Sequence, residues 1–147
     1  MADLVKFSDA ANLAIHAMID LAQHPGEEVP LKEIAHRLQA SEAHLSKVLQ
    51  RLRKAGLVTA CRGPAGGYQL GRPPAAITFA EIYETIEGPM EPHFCLFGTP
   101  VCQNPDCGLG HFVGSLNQQL KEFLSRLTLA DLPLTAGKLR KMKMATS

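Results

Sequence analysis

The run from residue 31 to residue 70 limits the fold more than any other part of the chain. Leu31, Ile34, Ala35 and Leu38 recur at the helical period, Gln39-Ala40 interrupts them, and from Ser41 a second period carries Leu45, Val48, Leu49 and Leu52. Two short amphipathic segments joined by so brief a break predict a helix-turn-helix, because each can bury its apolar stripe against the other. Gly56 closes the second segment. Leu57 to Arg62 and Gly67 to Leu70 then predict two strands around Gly63-Pro64-Ala65-Gly66-Gly67, a hairpin placed as a wing.

The flanks supply the rest of a small helical body. Ser8 predicts the cap of a first helix with Asp9 in its first turn, and Leu13, Ala14, Ala17, Met18, Leu21 and Ala22 share a face before His24-Pro25-Gly26 ends it. After Pro73-Pro74, Thr78 predicts the cap of a helix from Phe79 to Glu87, stopped by Gly88-Pro89. Further on, Leu109, Phe112, Val113, Leu116, Leu120, Phe123, Leu124 and Leu127 keep the helical period over about five turns. So long an apolar stripe on a small domain calls for a partner helix, and the two-fold axis of a homodimer would match that of a palindromic duplex.

The expected fold class is therefore mainly α. A winged helix-turn-helix domain covers residues 1–88, a cysteine-rich loop 89–108, a dimerisation helix 109–132 and a flexible tail 133–147. At 147 residues and 46% hydrophobic, the chain has material for one compact domain and an appendage, and is not wholly disordered. Its apolar runs are too short to cross a bilayer and Met1 to Asp9 offers no signal-like stretch, so a cytoplasmic protein with no membrane partner is expected.

A net charge of +1 conceals a strong separation along the chain. From Ala43 to Ala80 there is no Asp or Glu, while Lys47, Arg51, Arg53, Lys54, Arg62 and Arg72 are basic. From Pro73 to Leu120 there is no Lys or Arg, while Glu81, Glu84, Glu87, Glu91 and Asp106 are acidic. A basic stretch free of carboxylates attracts phosphate, whereas an ordinary solvated face mixes the two signs. The outward face of the third helix then offers Ser41, His44, Ser46, Lys47, Gln50 and Arg51 for base edges and phosphates of double-stranded DNA. Arg62, Gly66 and Tyr68 on the wing could reach the backbone or the minor groove.

The second chemical signal is Cys95-Leu-Phe-Gly-Thr-Pro-Val-Cys102-Gln-Asn-Pro-Asp-Cys107-Gly-Leu-Gly-His111. Soft thiols on a Gly- and Pro-rich loop suit zinc or an iron-sulfur cluster far better than a hard cation. Their spacing matches no common zinc module, and a disulfide pair would want an oxidising compartment. An iron-sulfur site is the favoured reading, with structural zinc or three separate packing cysteines as the alternatives. Cys61, inside the first wing strand, is read as a small packing residue.

These residues together resemble a known family, the small bacterial iron-sulfur winged-helix regulators of the IscR and NsrR type. The resemblance rests on Leu-Ala-Ile-His-Ala-Met-Ile-Asp-Leu-Ala in the first helix and on Leu52-Arg53-Lys54-Ala55-Gly56-Leu57-Val58. It rests also on the wing Arg62-Gly63-Pro64-Ala65-Gly66-Gly67-Tyr68, the three cysteines and Thr128-Leu129-Ala130-Asp131-Leu132. It implies that Cys95, Cys102 and Cys107 hold a 2Fe-2S or 4Fe-4S cluster. The fourth ligand departs from the family. Where IscR-like members carry a histidine three positions after the last cysteine, this chain has Gly110, and His111 follows one place on. Where NsrR-like members use a first-helix carboxylate of the opposite subunit, this chain has Asn12. A redox-sensing relative uses a histidine matching His16. His111 is the leading candidate, with His16 and Asn12 as alternatives.

The resemblance implies a DNA-binding transcription regulator, acting as a repressor, whose cluster senses nitric oxide, redox state or iron-sulfur supply. The alternative is a winged-helix regulator with structural zinc or no metal. An enzyme is not expected, because no Cys-x-x-Cys pair and no cysteine beside a base is visible.

Overall fold

The structure, a computed structural model, describes residues 5–63, 66–96, 101–102, 106–133 and 138–141. Its first helix, α1 (Asp9–Ala22), starts where Ser8 Oγ accepts the Ala11 N–H at 3.0 Å. The helix α2 (Leu31–Leu38) turns through Gln39 in the left-handed region into α3 (Glu42–Lys54), capped by Ser41. Both helices match the expected limits, because cap, break and apolar period agree there. The wing strands β1 (Val58–Cys61) and β2 (Gly67–Leu70) pair antiparallel with Val58 opposite Leu70. A bridge between Val29 and Tyr68 also ties the wing to the strand-like residue before α2.

The helix α4 (Phe79–Glu87) opens with a reciprocal capping box, Thr78 Oγ1 receiving the Glu81 N–H while the Glu81 carboxylate receives the Thr78 N–H. The long helix α5 (Gly108–Arg126) begins one residue before the expected start, and Cys107 is its N-cap. Its far end returns to the body. The Phe79 N–H donates to the Leu127 carbonyl at 2.9 Å and the Leu129 N–H to the Ile77 carbonyl at 3.1 Å.

One core joins these elements. Ala14, Met18 and Leu21 of α1 meet Ile34 of α2, Leu45, Leu49 and Leu52 of α3 and Ile82 of α4. Leu124, Leu127 and Leu129 belong to the same core, so the C-terminal part of α5 is built into the winged body. A nearly buried Asp20 on α1 is held by both Nε and Nη2 of Arg37 at 2.8 Å, which fixes α2 against α1. The carboxylate in turn raises the Arg37 pKa. Most of the tail expected at 133–147 lies outside the described residues; residues 138–141 are helical. The wing tip, Pro64 and Ala65, also lies outside them.

Candidate DNA-reading face and cysteine centre

The face of α3 opposite its buried leucines is exposed at Ser41, His44, Lys47 and Gln50, with Ser46 half-buried between them. The period of the helix places these side chains, and Ser41 also caps it, accepting the His44 N–H at 3.2 Å. Among the described residues, Lys47, Arg53, Lys54 and Arg62 enter no ion pair, which leaves their charge available to an anion. Arg72 is otherwise engaged, with Nη2 2.8 Å from Glu81.

Two expected contact residues are placed differently from their neighbours. The Arg51 guanidinium turns back onto α4, where Nη2 donates to the Ile86 carbonyl at 2.6 Å and to the Thr85 carbonyl at 3.3 Å. Tyr68 is half-buried against the core, and its N–H and C=O both pair with Val29 at 2.9 Å. Arg62 is exposed at the wing base and Gly66 lies next to the undescribed tip.

The cysteine region is organised by a contact that the sequence does not announce. Gly110 and Gly114, one turn apart on α5, make a shallow groove that receives Phe94. A Cβ on Gly110 would stand 2.1 Å from the Phe94 carbonyl oxygen, and one on Gly114 would stand 2.1 Å from its ring. A side chain at Gly110 would therefore collide with the loop backbone, and one at Gly114 would displace the Phe94 ring from its seat. The Asn117 amide reinforces it, donating to the His93 carbonyl at 3.2 Å. Cys95, next in the chain, is carried to the first turn of α5, where Cys107 Sγ accepts the Gly110 N–H at 3.3 Å.

All four cysteines are free thiols. Cys95 and Cys107 are half-buried and Cys102 is exposed. Among the described residues, no three His, Cys, Asp or Glu side chains converge as a finished metal site. The donor chemistry fits an iron-sulfur cluster, since Cys95 follows the docked Phe94, Cys107 caps the helix start and Cys102 stands open to solvent, but the set is not closed. Residues 97–100 and 103–105, which link the cysteines, lie outside the described residues. Cys61 differs from the other three. It sits beside Glu28, whose carboxylate together with desolvation pushes the thiol pKa up, as suits a protonated packing residue.

The candidate fourth ligands fall in two places. His111 follows Cys107 by one turn, its N–H donating to the Cys107 carbonyl at 2.9 Å, and its exposed ring lies edge-on to Phe94. Its Nε2 is 3.8 Å from Asp106 Oδ1. Asn12 and His16 instead line a groove of 580 Å³ with Arg37, Gln39 and His44, and no cysteine of the same chain lines it. His16 Nδ1 donates to the Asn12 carbonyl at 2.7 Å, so in the neutral ring Nε2 is the nitrogen with a free lone pair.

An apolar strip continues from this centre along α5. Leu109, Phe112 and Leu116 are exposed, as are Phe94 and Leu96 on the loop, while Leu124 on the same helix is only 7% exposed. Among the described residues, no helix is long and apolar enough to cross a membrane.

Comparison with known proteins agrees with the fold. The HTH-type transcriptional regulator IscR of Yersinia enterocolitica is 34% identical over 130 residues, covering 87% of this chain and 79% of that protein. Among solved structures, the global cysteine regulator CymR of B. subtilis superposes with a TM-score of 0.76 at 35% identity, over 88% of this chain and 96% of that one. IscR of T. potens does so with a TM-score of 0.71 at 30% identity, over 98% and 93%. The expected winged-helix fold is thus the observed one, and the chain is a transcription regulator and not an enzyme. Residues 7–133 match the model of the Rrf2 family, described as iron-dependent transcriptional regulators, and the chain belongs to that family.

Proposed function

We propose that this regulator binds a palindromic duplex as a homodimer and that an iron-sulfur cluster on Cys95, Cys102 and Cys107 controls the binding in the cytoplasm. The observation that carries the reading is the docking of Phe94 on Gly110 and Gly114, which delivers Cys95 to the helix start capped by Cys107. A cluster would supply reversible redox and ligand-exchange chemistry at that point. The chain supplies the thiolates, the glycine groove that orients the loop, and His111 one turn away as the leading fourth ligand. The open lone pair of His16 Nε2 makes it the alternative from a second copy, with Asn12 beside it.

DNA recognition rests on Ser41, His44, Ser46, Lys47 and Gln50 of α3, with Arg62 and Gly66 of the wing on the backbone. Dimerisation rests on Leu109, Phe112 and Leu116, whose exposure on one helix face is costly in a lone protomer. Repression, and response to nitric oxide, redox state or iron-sulfur supply, belong to the same proposal.

The deciding experiment is anaerobic purification with iron and sulfide counts and an absorption spectrum before and after nitric oxide. Sulfide-to-iron bands that bleach with nitric oxide, together with a change in duplex affinity, are expected. Colourless protein with zinc, or with no metal, that binds DNA fully would select the cluster-free alternative. His111→Ala, His16→Ala and Asn12→Ala, compared for rate of cluster loss in air, identify the fourth ligand.

A further inference from the structure

We propose that Arg51 is a positioning residue: it couples the pose of the reading helix α3 to the cysteine loop through the last turn of α4. The inference rests on the cluster-controlled DNA binding proposed above. Its observation is separate, since it comes from hydrogen bonds inside the winged body.

The last carbonyls of a helix have no partner within it. On α4 two of these, Thr85 and Ile86, are taken by Arg51 Nη2, a cation well matched to the negative end of the helix. The donor comes from α3, four residues after Lys47 on the same face. A change in the direction of α4's last turn therefore pulls directly on the helix that carries Lys47 and Gln50. The sequence assigns Arg51 to a phosphate or base; the structure engages its Nη2 with protein carbonyls.

The same turn is also held from the loop side. The Met90 N–H donates to Glu84 Oε1 at 3.1 Å, and the Gly88 N–H closes the helix on the Glu84 carbonyl at 2.9 Å. From Met90 the chain is pinned at His93 by Asn117 and at Phe94 by the glycine groove, and then reaches Cys95. Ser8, the cap of α1, adds a hydrogen bond to Glu87. Residues 88–94 thus form a strap with a cysteine at one end and the Arg51 site at the other. Drawing Cys95 into a cluster would load this strap, and the load would reach α3 through the hydrogen bonds of Arg51 Nη2 at 2.6 and 3.3 Å, in addition to the core that α3 and α4 share.

The test uses the full-length protein in apo and cluster-loaded forms, with a duplex selected from a random-sequence pool by the loaded parent. Affinity is measured by fluorescence anisotropy over a series of salt concentrations. Arg51→Gln and Glu84→Ala are each expected to bring the ratio of loaded to apo affinity close to one. Glu84→Gln, which keeps an acceptor for Met90, is expected to retain the parent's ratio. The salt slope of Arg51→Gln should equal the parent's. If Arg51→Gln instead weakens both forms by one factor and lowers the salt slope by about one, Arg51 is a phosphate contact and the proposal falls. It falls too if Glu84→Ala keeps the parent's ratio, an outcome that decides the matter even if Arg51→Gln folds poorly. A parent that binds equally in both forms would overturn the cluster-control reading itself, and this inference with it.

Discussion

The winged body and the cysteine region are held together in different ways. In the body, Met18, Ile34, Leu45, Leu49, Leu52 and Ile82 are fully buried, caps sit at Ser8, Ser41 and Thr78, and Asp20 is paired with Arg37. In the cysteine region, Phe94, Leu96 and Val101 are more than half exposed, and the contacts include Phe94 on two glycines and edge-on to His111, one asparagine amide and one thiol cap. A body of the first kind fixes its own shape, because burial of this many side chains exceeds the entropy cost of ordering them. The described residues of the cysteine region bury far less. On the proposed reading, a cluster bound by its thiols would add the missing ordering free energy, as metal binding does in a small site. The contrast separates a platform for DNA from a sensor able to change.

The largest effect that would sharpen this contrast is complete loss of the cluster. Cys107→Ala removes both a proposed ligand and the cap of α5, and Cys95→Ala removes the proposed ligand next to Phe94. Either variant, purified anaerobically, should show no iron, no sulfide and no visible bands, while its far-ultraviolet circular dichroism stays close to the parent's. Cys61→Ala should keep the full cluster. Loss of the cluster in Cys61→Ala would erase the line between the two regions.

Next in size is a pair on one helix. Leu124 is buried with the body, so Leu124→Ala should lower stability by about 2–5 kcal/mol in urea unfolding, through lost burial and a residual cavity. Leu116 is 48% exposed, so Leu116→Asp should leave the protomer folded and shift sedimentation from dimer to monomer, because the charge would be buried unpaired at the seam. If Leu116→Asp stays dimeric, the seam lies elsewhere. If Leu124→Ala is neutral, the far end of α5 is not part of the core in solution.

These two leucines also show what can be read before the fold is known. Both lie on the apolar stripe of α5, and periodicity alone placed Leu116, Leu120 and Leu124 on one dimer seam. It cannot tell which part of a stripe meets the chain's own body. The turn Thr128-Leu129-Ala130-Asp131 decides that, by bringing Leu127 and Leu129 back to Phe79 and Ile77. In the body the reading was nearly complete, because caps, breaks and periods are local signals that agree at Ser8, Ser41 and Thr78. Long-range contacts were not legible. Arg51 was assigned outward from its place on the helix, but the end of so long a side chain is not fixed by the period, and it reaches α4. The seat of Phe94 was equally hidden, since Gly110 and Gly114 read as loop pliancy and ordinary helix until their partner is known. Cys107 was read as a candidate ligand but not as a cap, because cysteine is not among the usual capping residues.

A smaller effect tests how rigid the body is. Asp20→Asn keeps the shape and one acceptor but leaves Arg37 only its longer, more exposed ion pair to Glu33 at 3.6 Å; because Arg37 is 35% exposed, water can take up part of the loss. A cost of about 1–3 kcal/mol is expected in urea or thermal unfolding, below the usual figure for a fully buried pair. Cluster content of the folded protein should not change. A variant with parent stability would mean that α2 is held by its apolar face alone.

The smallest effect concerns Cys61, the one thiol that belongs to the body. Glu28 beside it and desolvation raise its pKa above the ordinary thiol value, so at any given pH a smaller fraction is thiolate, the form that reacts. In the apo protein at about pH 8, iodoacetamide should label Cys61 more slowly than the exposed Cys102, with its labelling rate still climbing at pH values where an unperturbed thiol has levelled off. The sign for stability follows from the same shift. A folded-state pKa above the unfolded one means that the contribution is fully present below the unfolded pKa and fades as pH rises through the folded one. Alkaline unfolding should therefore begin at slightly higher pH in Cys61→Ala, which has no thiol to ionise. Glu28→Gln removes the largest cause of the shift and should speed labelling of Cys61 without changing that of Cys102. Equal labelling of Cys61 and Cys102 in the parent would show that Glu28 does not face the thiol, and that the fourth cysteine shares the reactivity of the loop rather than the protection of the body.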